Sequence, residues 1–391
     1  MFRLAGLLVA FALAIANGML AAPAEGNAQA YSTSAEQAVL MDADTGTVLF
    51  SKEADTPFPP ASLAKIMTME VVFNALQENR LKLTDKFFVS EHAWRTGGAT
   101  SGGSTMFAEV NSEIELENLI KGIIVQSAND GCIIIAEGMA GSEAGFAGLM
   151  NERARKIGLR DSRFVNSTGL PAEGQHVTAN DLARLAQHMI RQYPEFYPYY
   201  SELEFSWNDI NQRNRNPLLS MGIGADGMKT GYTEESGYAI VGTVKRPKQR
   251  LIAVLGGMSS SNERKEEARK IIDWGSRAFE KVRLFDEGEI VGEADVYGGA
   301  KGGVELIGHG PVDIYLPVGF RDRLRARISY TGPIIPPVAQ GNQVAFLKVW
   351  VGETLSQETP LYAGETVEQG KLHQRSLDAL KELLIGWIPS F

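Results

Sequence analysis

The chain has 391 residues, 44% hydrophobic and 22% charged, with a net charge of −9 and one cysteine. That length exceeds most single cores and implies two domains, while the composition excludes a largely disordered chain. There is no basic surplus to neutralise phosphates, which excludes nucleic acid as a partner, and a lone thiol excludes an internal disulfide.

The chain opens with MFRLAGLLVAFALAIANGMLAAPAEGNAQA. Arg3 precedes an apolar stretch, Leu4 to Ile15, and Ala28 and Ala30 suit signal-peptidase cleavage, so residues 1–30 read as a signal peptide and export is expected. An uncleaved anchor is the competing reading, but the apolar run is short of the roughly 20 residues a span needs. From residue 38, AVLMDADTGTVLFSK alternates like two strands about the turn signal Asp44-Thr45-Gly46. Helical periodicity follows over 62–78, 115–124, 130–139, 142–157 and 179–192. Strand-like runs return over 238–258, and the amphipathic pattern NERKEEARKIIDWGSRAFEKV closes near Val282. Strands at both ends with helices between them predict an α+β domain over 31–283, built on an antiparallel sheet.

Beyond it, VELIGHG, VDIYLPV, RLRARISYTG and QVAFLKVWVGE recur between Gly, Pro and Asn signals. They predict a small all-β domain over 284–370, free of any reactive constellation and suited to a spacer or interaction module. The tail, 371–391, places Leu377, Leu380, Leu384, Trp387 and Ile388 on one side of a helix, with Asp378, Lys381 and Glu382 on the other. Such an amphipathic helix can lie in a membrane interface, with Trp387 at the headgroups, or dock on a protein groove.

No G-x-S-x-G elbow and no H-E-x-x-H helix occurs, and His92, His176, His188, His309 and His373 form no recognisable cluster. Three short segments carry chemistry instead. In PPASLAKIMT, Pro59 and Pro60 lead into an apolar helical pattern, which puts Ser62 in its first turn and Lys65 on the same face. Taken alone, an N-cap serine followed by a solvated lysine describes these residues at least as well. Ser127-Ala128-Asn129 lies in a turn between two buried helices, where capping by Ser127, Asn129 or Asp130 is the alternative. Lys229-Thr230-Gly231 occurs once, ahead of a strand, where a surface lysine in a turn is the alternative. Cys132, in CIIIAEGMA, reads as a packed thiol. TGGATSGGS at 96–104 reads as a mobile loop, either bordering a cleft or simply a loop.

In order, S-x-x-K, S-x-N and K-T-G form the signature of penicillin-binding proteins and class A β-lactamases. With PASLAKIMT, LMNERARKIGL, the NRN at 214–216, KTGY, the β-domain and the amphipathic tail, the sequence resembles the D-alanyl-D-alanine carboxypeptidases, low-molecular-mass penicillin-binding proteins of bacterial envelopes. The resemblance implies a transpeptidase/β-lactamase-like catalytic fold. It also implies removal of the terminal D-alanine from peptidoglycan stem peptides through a serine ester, and acylation by β-lactams, with no cofactor and no metal. It places the protein in the periplasm at the outer face of the cytoplasmic membrane, held there by the tail.

Ser62 is then the nucleophile and Lys65 its base, made neutral by burial, the helix N-terminus and a second cation at Lys229. Ser127 relays a proton to the leaving amine, and Asn129 holds Lys65 and the substrate amide. The family's geometry implies oxyanion donors at the Ser62 and Tyr232 amides, with Gly231 beside them on the K-T-G segment. Thr230, Arg215 and Arg264 are candidates for the substrate carboxylate. Many relatives have histidine where this chain has Tyr232, a change that leaves the backbone donor intact. Two rival readings share the fold. A class A β-lactamase is a one-domain protein with a deacylating glutamate not located here, and a non-catalytic envelope-binding protein would leave the intact reactive set without a use.

Overall fold

In the computed structural model of the protein the described residues are 31–372, apart from 248, 319–323 and 352–353. The expected signal peptide and the tail helix from residue 373 onward lie outside the described residues.

Strands β1 (Gln37–Asp42) and β2 (Val48–Lys52) form the expected hairpin, its turn tied by the Asp42 carboxylate, which accepts from the Thr45 amide and hydroxyl at 2.8 Å each. A 3-10 turn (Ala61–Leu63) runs into α1 (Ala64–Gln77), and neither start is capped by a side chain, so Ser62 is not an N-cap. There follow β3 (Lys86–Phe88), α2 (Glu91–Gly97), β4 (Glu113–Glu115) and α3 (Leu116–Lys121). The last of these continues as a π-helical turn over Gly122–Gln126. Helices α4 (Asn129–Ala140), α5 (Glu143–Lys156) and α6 (Ala179–Gln192) complete the helical region. A small hairpin, β5 (Glu204–Trp207) and β6 (Ile210–Arg213), precedes β7 (Ala225–Thr233), β8 (Gly237–Arg246), β9 (Gln249–Met258) and α7 (Ser261–Ala278).

The main sheet runs β2-β1-β9-β8-β7 and every pairing in it is antiparallel. Strand alternation divides its two faces. Ala38, Leu40, Ala253 and Leu255 pack on Ala268, Ile271 and Ile272 of α7, whereas Val39, Met41, Ile252 and Val254 face the core of α1, α4 and α6. With each fully buried side chain of this kind worth about 1.5–3 kcal/mol, both faces fix the sheet firmly. The Lys229-Thr230-Gly231 segment, read from sequence as lying ahead of a strand, is itself part of β7, at the sheet edge.

The amphipathic pattern that reads on to Val282 stops being helix at Ala278. Phe279–Phe285 is strand β10, paired antiparallel with β13 (Val312–Pro317), so the chain passes into the β-domain ahead of residue 284. That domain adds β11 (Ile290–Asp295), β12 (Gly303–Ile307), β14 (Leu324–Ser329), β15 (Gln343–Val351) and β16 (Thr354–Ala363), in the antiparallel order β11-β12-β16-β15-β14. Val304, Leu306, Ile314, Leu347, Val349 and Leu361 fill its core. Tyr315 packs into the α7 cluster, and Gln357 accepts from Thr47 Oγ1 at 2.5 Å, which ties the β-domain to the β1–β2 hairpin.

Candidate active site

Three segments converge where β7 passes the 3-10 turn ahead of α1. Ser62 lies in that turn and Lys65 in the first turn of α1. Ser127 ends the π-helical turn in the left-handed conformation, φ 66°, and Asn129 opens α4. No side chain caps α4, so the capping alternative for this segment fails too. The close approach of β7 depends on Gly231, where a Cβ would lie 3.2 Å from Ala61 Cβ and 3.3 Å from both Leu63 Cγ and the Pro60 carbonyl.

Lys65 is only 1% exposed. Its ammonium donates to Ser62 Oγ at 3.0 Å, to Asn129 Oδ1 at 2.8 Å and to the Thr168 carbonyl at 2.5 Å. Two of these partners can only accept; the Ser62 hydroxyl can also donate. Burial pulls the Lys65 ammonium down to about 8, Arg215 pushes the same way, and Asp130 and Glu143 oppose. Burial likewise pushes the Cys132 thiol up to about 12, so this residue is a protonated packing group, as its sequence context suggests.

Lys229 is 3% exposed, donates to the Thr230 carbonyl at 3.1 Å and is drawn well below an ordinary lysine, first by burial, then by Lys65 and Arg215. Ser127 Oγ is buried with no hydrogen-bond partner among the described residues. Thr230 is buried on the same strand, and Tyr232 is half exposed, its ring 4.2 Å from that of Tyr238. Arg215 and Arg264 are held by partners outside the reactive set. Arg215 Nη1 donates to Ser104 Oγ at 2.7 Å, while the Arg264 guanidinium lies 5.5 Å from the centre of the Tyr238 ring, its Nε buried and without a partner among the described residues. Both still bear on Lys229 electrostatically, so four basic side chains, with Lys65, share this end of the sheet.

The glycine-rich stretch borders the site and is packed against it. A Cβ on Gly97 would fall 2.4 Å from the Asp130 amide, and the Asn129 amide donates to the Ser104 carbonyl at 2.8 Å. Asp130 organises this wall, accepting from Thr105 Oγ1 and from the amides of Met106, Ala108 and Gly131 at 2.6–3.1 Å. Sequence reasoning missed Asp130 as the organiser, and it missed Thr168, whose contribution is a main-chain oxygen without a residue signature. The one available signal was Gly169 in NSTGL, a glycine placed where the backbone comes very close to Ala61.

Among the described residues no group of three or more His, Cys, Asp or Glu side chains could hold a metal ion. The site brings together a hydroxyl on a buried amine, a second buried hydroxyl, a second buried amine and an edge strand.

A family model described as D-alanyl-D-alanine carboxypeptidase matches residues 24–260, more than half of the chain. The chain belongs to the D-alanyl-D-alanine carboxypeptidase family. The model of the penicillin-binding protein 5 C-terminal domain matches residues 279–369, starting at the first residue of β10. The chain is 37% identical over 371 residues to D-alanyl-D-alanine carboxypeptidase DacC of Escherichia coli, covering 94% of this chain and 93% of that protein. Penicillin-binding protein 5 of Haemophilus influenzae superposes with a TM-score of 0.74 at 32% identity, over 87% of this chain and 99% of that one. Penicillin-binding protein D2 of Listeria monocytogenes, solved in an ampicillin-bound form, matches with a TM-score of 0.57 at 26% identity, over 63% of this chain and 99% of that one.

Proposed function

We propose that this protein is a serine-type D-Ala-D-Ala carboxypeptidase that releases the terminal D-alanine of peptidoglycan stem peptides through an ester on Ser62 and is acylated there by β-lactams. The observation that carries the reading is the hydrogen-bond set of Lys65. A neutral amine has two N–H donors and one lone pair. Asn129 Oδ1 and the Thr168 carbonyl accept the two donors, so the lone pair is left for the Ser62 hydroxyl, 3.0 Å away. A hydrogen-bonded Ser62–Lys65 pair with its amine buried is a nucleophile with its base in place.

In this mechanism Ser62 Oγ attacks the carbonyl of the penultimate D-alanine while its proton passes to Lys65. The amides of Ser62 and Tyr232 receive the oxyanion, which suits a 3-10 turn facing an edge strand whose alternate amides lack a strand partner. Ser127, buried and without a partner among the described residues, carries a proton to the departing D-alanine nitrogen, with Lys229 sustaining the field and Asn129 holding both Lys65 and the substrate amide. Thr230, Arg215 and Arg264 take the terminal carboxylate, and Gly231 lets the substrate strand and the nucleophile share one cleft. Water then hydrolyses the ester. A β-lactam undergoes the same attack; its opened ring stays attached, so the leaving group never departs.

The N-terminal 30 residues and the tail extend the reading. Export to the bacterial periplasm, with the tail lying in the outer face of the cytoplasmic membrane, suits an enzyme whose substrate is the cell wall. Fluorescent penicillin labelling with D-alanine release from a D-Ala-D-Ala peptide tests the chemistry. Ser62→Ala is expected to abolish both, and labelling that persists would remove Ser62 as nucleophile. Truncation at about residue 370 is expected to free the mature protein from membranes, and unchanged membrane binding would exclude the tail as anchor.

A further inference from the structure

The Thr168 carbonyl on Lys65 belongs to a segment that is fastened on several sides. Ser167 donates its hydroxyl to Glu143 Oε1 at 2.8 Å, and its carbonyl accepts from Thr68 Oγ1 at 2.7 Å. Asn166 Oδ1 takes the Gly169 amide at 2.7 Å, and Gln175 Oε1 takes the Val165 and Asn166 amides at 3.0 and 3.2 Å. Ser167 is fully buried, so its two bonds leave it little freedom, and the adjoining carbonyl is aimed as a consequence.

Two acids bear on Lys65, and they differ in what they carry. Asp130 spreads its charge over four donors. Glu143, the first residue of α5, has the Ser167 hydroxyl as its one hydrogen-bond partner among the described residues. We propose that Glu143 is a positioning residue for the reaction put forward above: through Ser167 it sets the Thr168 carbonyl on Lys65.

The groups facing Lys65 fix the sign. Cys132 and Asp130 come from α4, Lys229 from β7, Arg215 from the segment after β6 and Glu143 from α5. Of these, Glu143 and Asp130 hold Lys65 up against burial and the other cations. Removing the Glu143 charge therefore makes Lys65 neutral at lower pH, and the acid limb of the acylation profile moves down with it.

The inference rests on the proposed reaction, so its test has one readout tied to activity and one that is not. In the full mature chain, Glu143→Gln keeps an oxygen for Ser167 and deletes the charge. The pH profile of penicillin acylation is expected to shift to lower pH by on the order of half a unit, with the plateau rate unchanged. Ser167→Ala breaks the tie, and the plateau rate of D-alanine release is expected to fall several-fold with KM nearly constant. Separately, the Lys65 side-chain carbon NMR signal, assigned by its loss in Lys65→Met, is expected to titrate at lower pH in Glu143→Gln. A Lys65 midpoint unmoved in Glu143→Gln, or a Ser167→Ala plateau equal to wild type, would overturn the role. A wild-type protein that releases no D-alanine would instead count against the reaction, while the NMR titration would still decide for or against Glu143.

Discussion

Substitution of Gly169 by alanine strikes both halves of the Lys65 geometry at once. Gly169 has φ 79°, and a Cβ on it would lie 1.8 Å from the Ala61 carbonyl oxygen, 2.6 Å from its carbon and 3.0 Å from Ala64 Cβ. The left-handed conformation costs an alanine about 1–2 kcal/mol, and forcing a methyl against main chain adds about 1–3 kcal/mol, a total of roughly 2–5 kcal/mol. Relief must come from moving either the turn that carries Ser62 or the segment that carries the Thr168 carbonyl. A displacement near 1 Å there is enough to lower acylation by about a hundredfold. Gly158→Ala is the matched control, because Gly158 has φ 81° with nothing within 4 Å of its Cβ, which leaves the conformational cost alone. Thermal unfolding and the rate of fluorescent-penicillin acylation measure the two effects. Equal losses of stability in the two variants, with acylation intact in Gly169→Ala, would refute the close-approach argument.

Acylation of the wild type is expected to rise close to tenfold between pH 7 and pH 9 with a midpoint near 8, because a Lys65 drawn down to about 8 goes from about one-tenth to nine-tenths neutral over that range. Stopped-flow labelling across that range checks it, and a rate still climbing close to tenfold per unit between pH 8 and pH 9 would mean an ordinary lysine. Arg153→Ala is expected to cost about 3–5 kcal/mol in urea unfolding at neutral pH, since it strands Glu70, whose buried carboxylate takes Arg153 Nε and Nη2 as well as the Tyr193 hydroxyl. Burial pulls the Glu70 carboxyl up, but His188, whose Nε2 lies 3.3 Å from it, and the hydrogen bonds from Arg153 and Tyr193 hold it below its ordinary value. Its contribution is therefore present above the ordinary carboxylate range and lost as pH falls through the depressed value, so the gap between wild type and variant is expected to narrow in acid. A gap that widens toward pH 3 would contradict the ion pair.

Ser62, Lys65, Ser127, Asn129 and Lys229 are legible in the sequence because their contribution is a side-chain functional group at a short, characteristic spacing. The five-stranded order is less so. Strand β7 holds Gly227 and Gly231, weak strand formers, and it exists because β8 pairs with it and because the turn at Ala61 needs a strand without side-chain bulk at that point. The end of α7 hides for a different reason: Phe279, Val282 and Phe285 sit three apart, a spacing that continues a helix until pairing with β13 makes them strand. What no motif spells out is the charge state of Lys65, the base of the proposed reaction. Lys65 is set by a carbonyl at Thr168, an amide oxygen at Asn129, acids on α4 and α5, and cations from β7 and the segment after β6. Most of these reach it from far along the chain, and all but the Asn129 oxygen act through main-chain position or field. A residue type at a spacing can name a candidate base, but only the packing that surrounds it decides at which pH it could act as one.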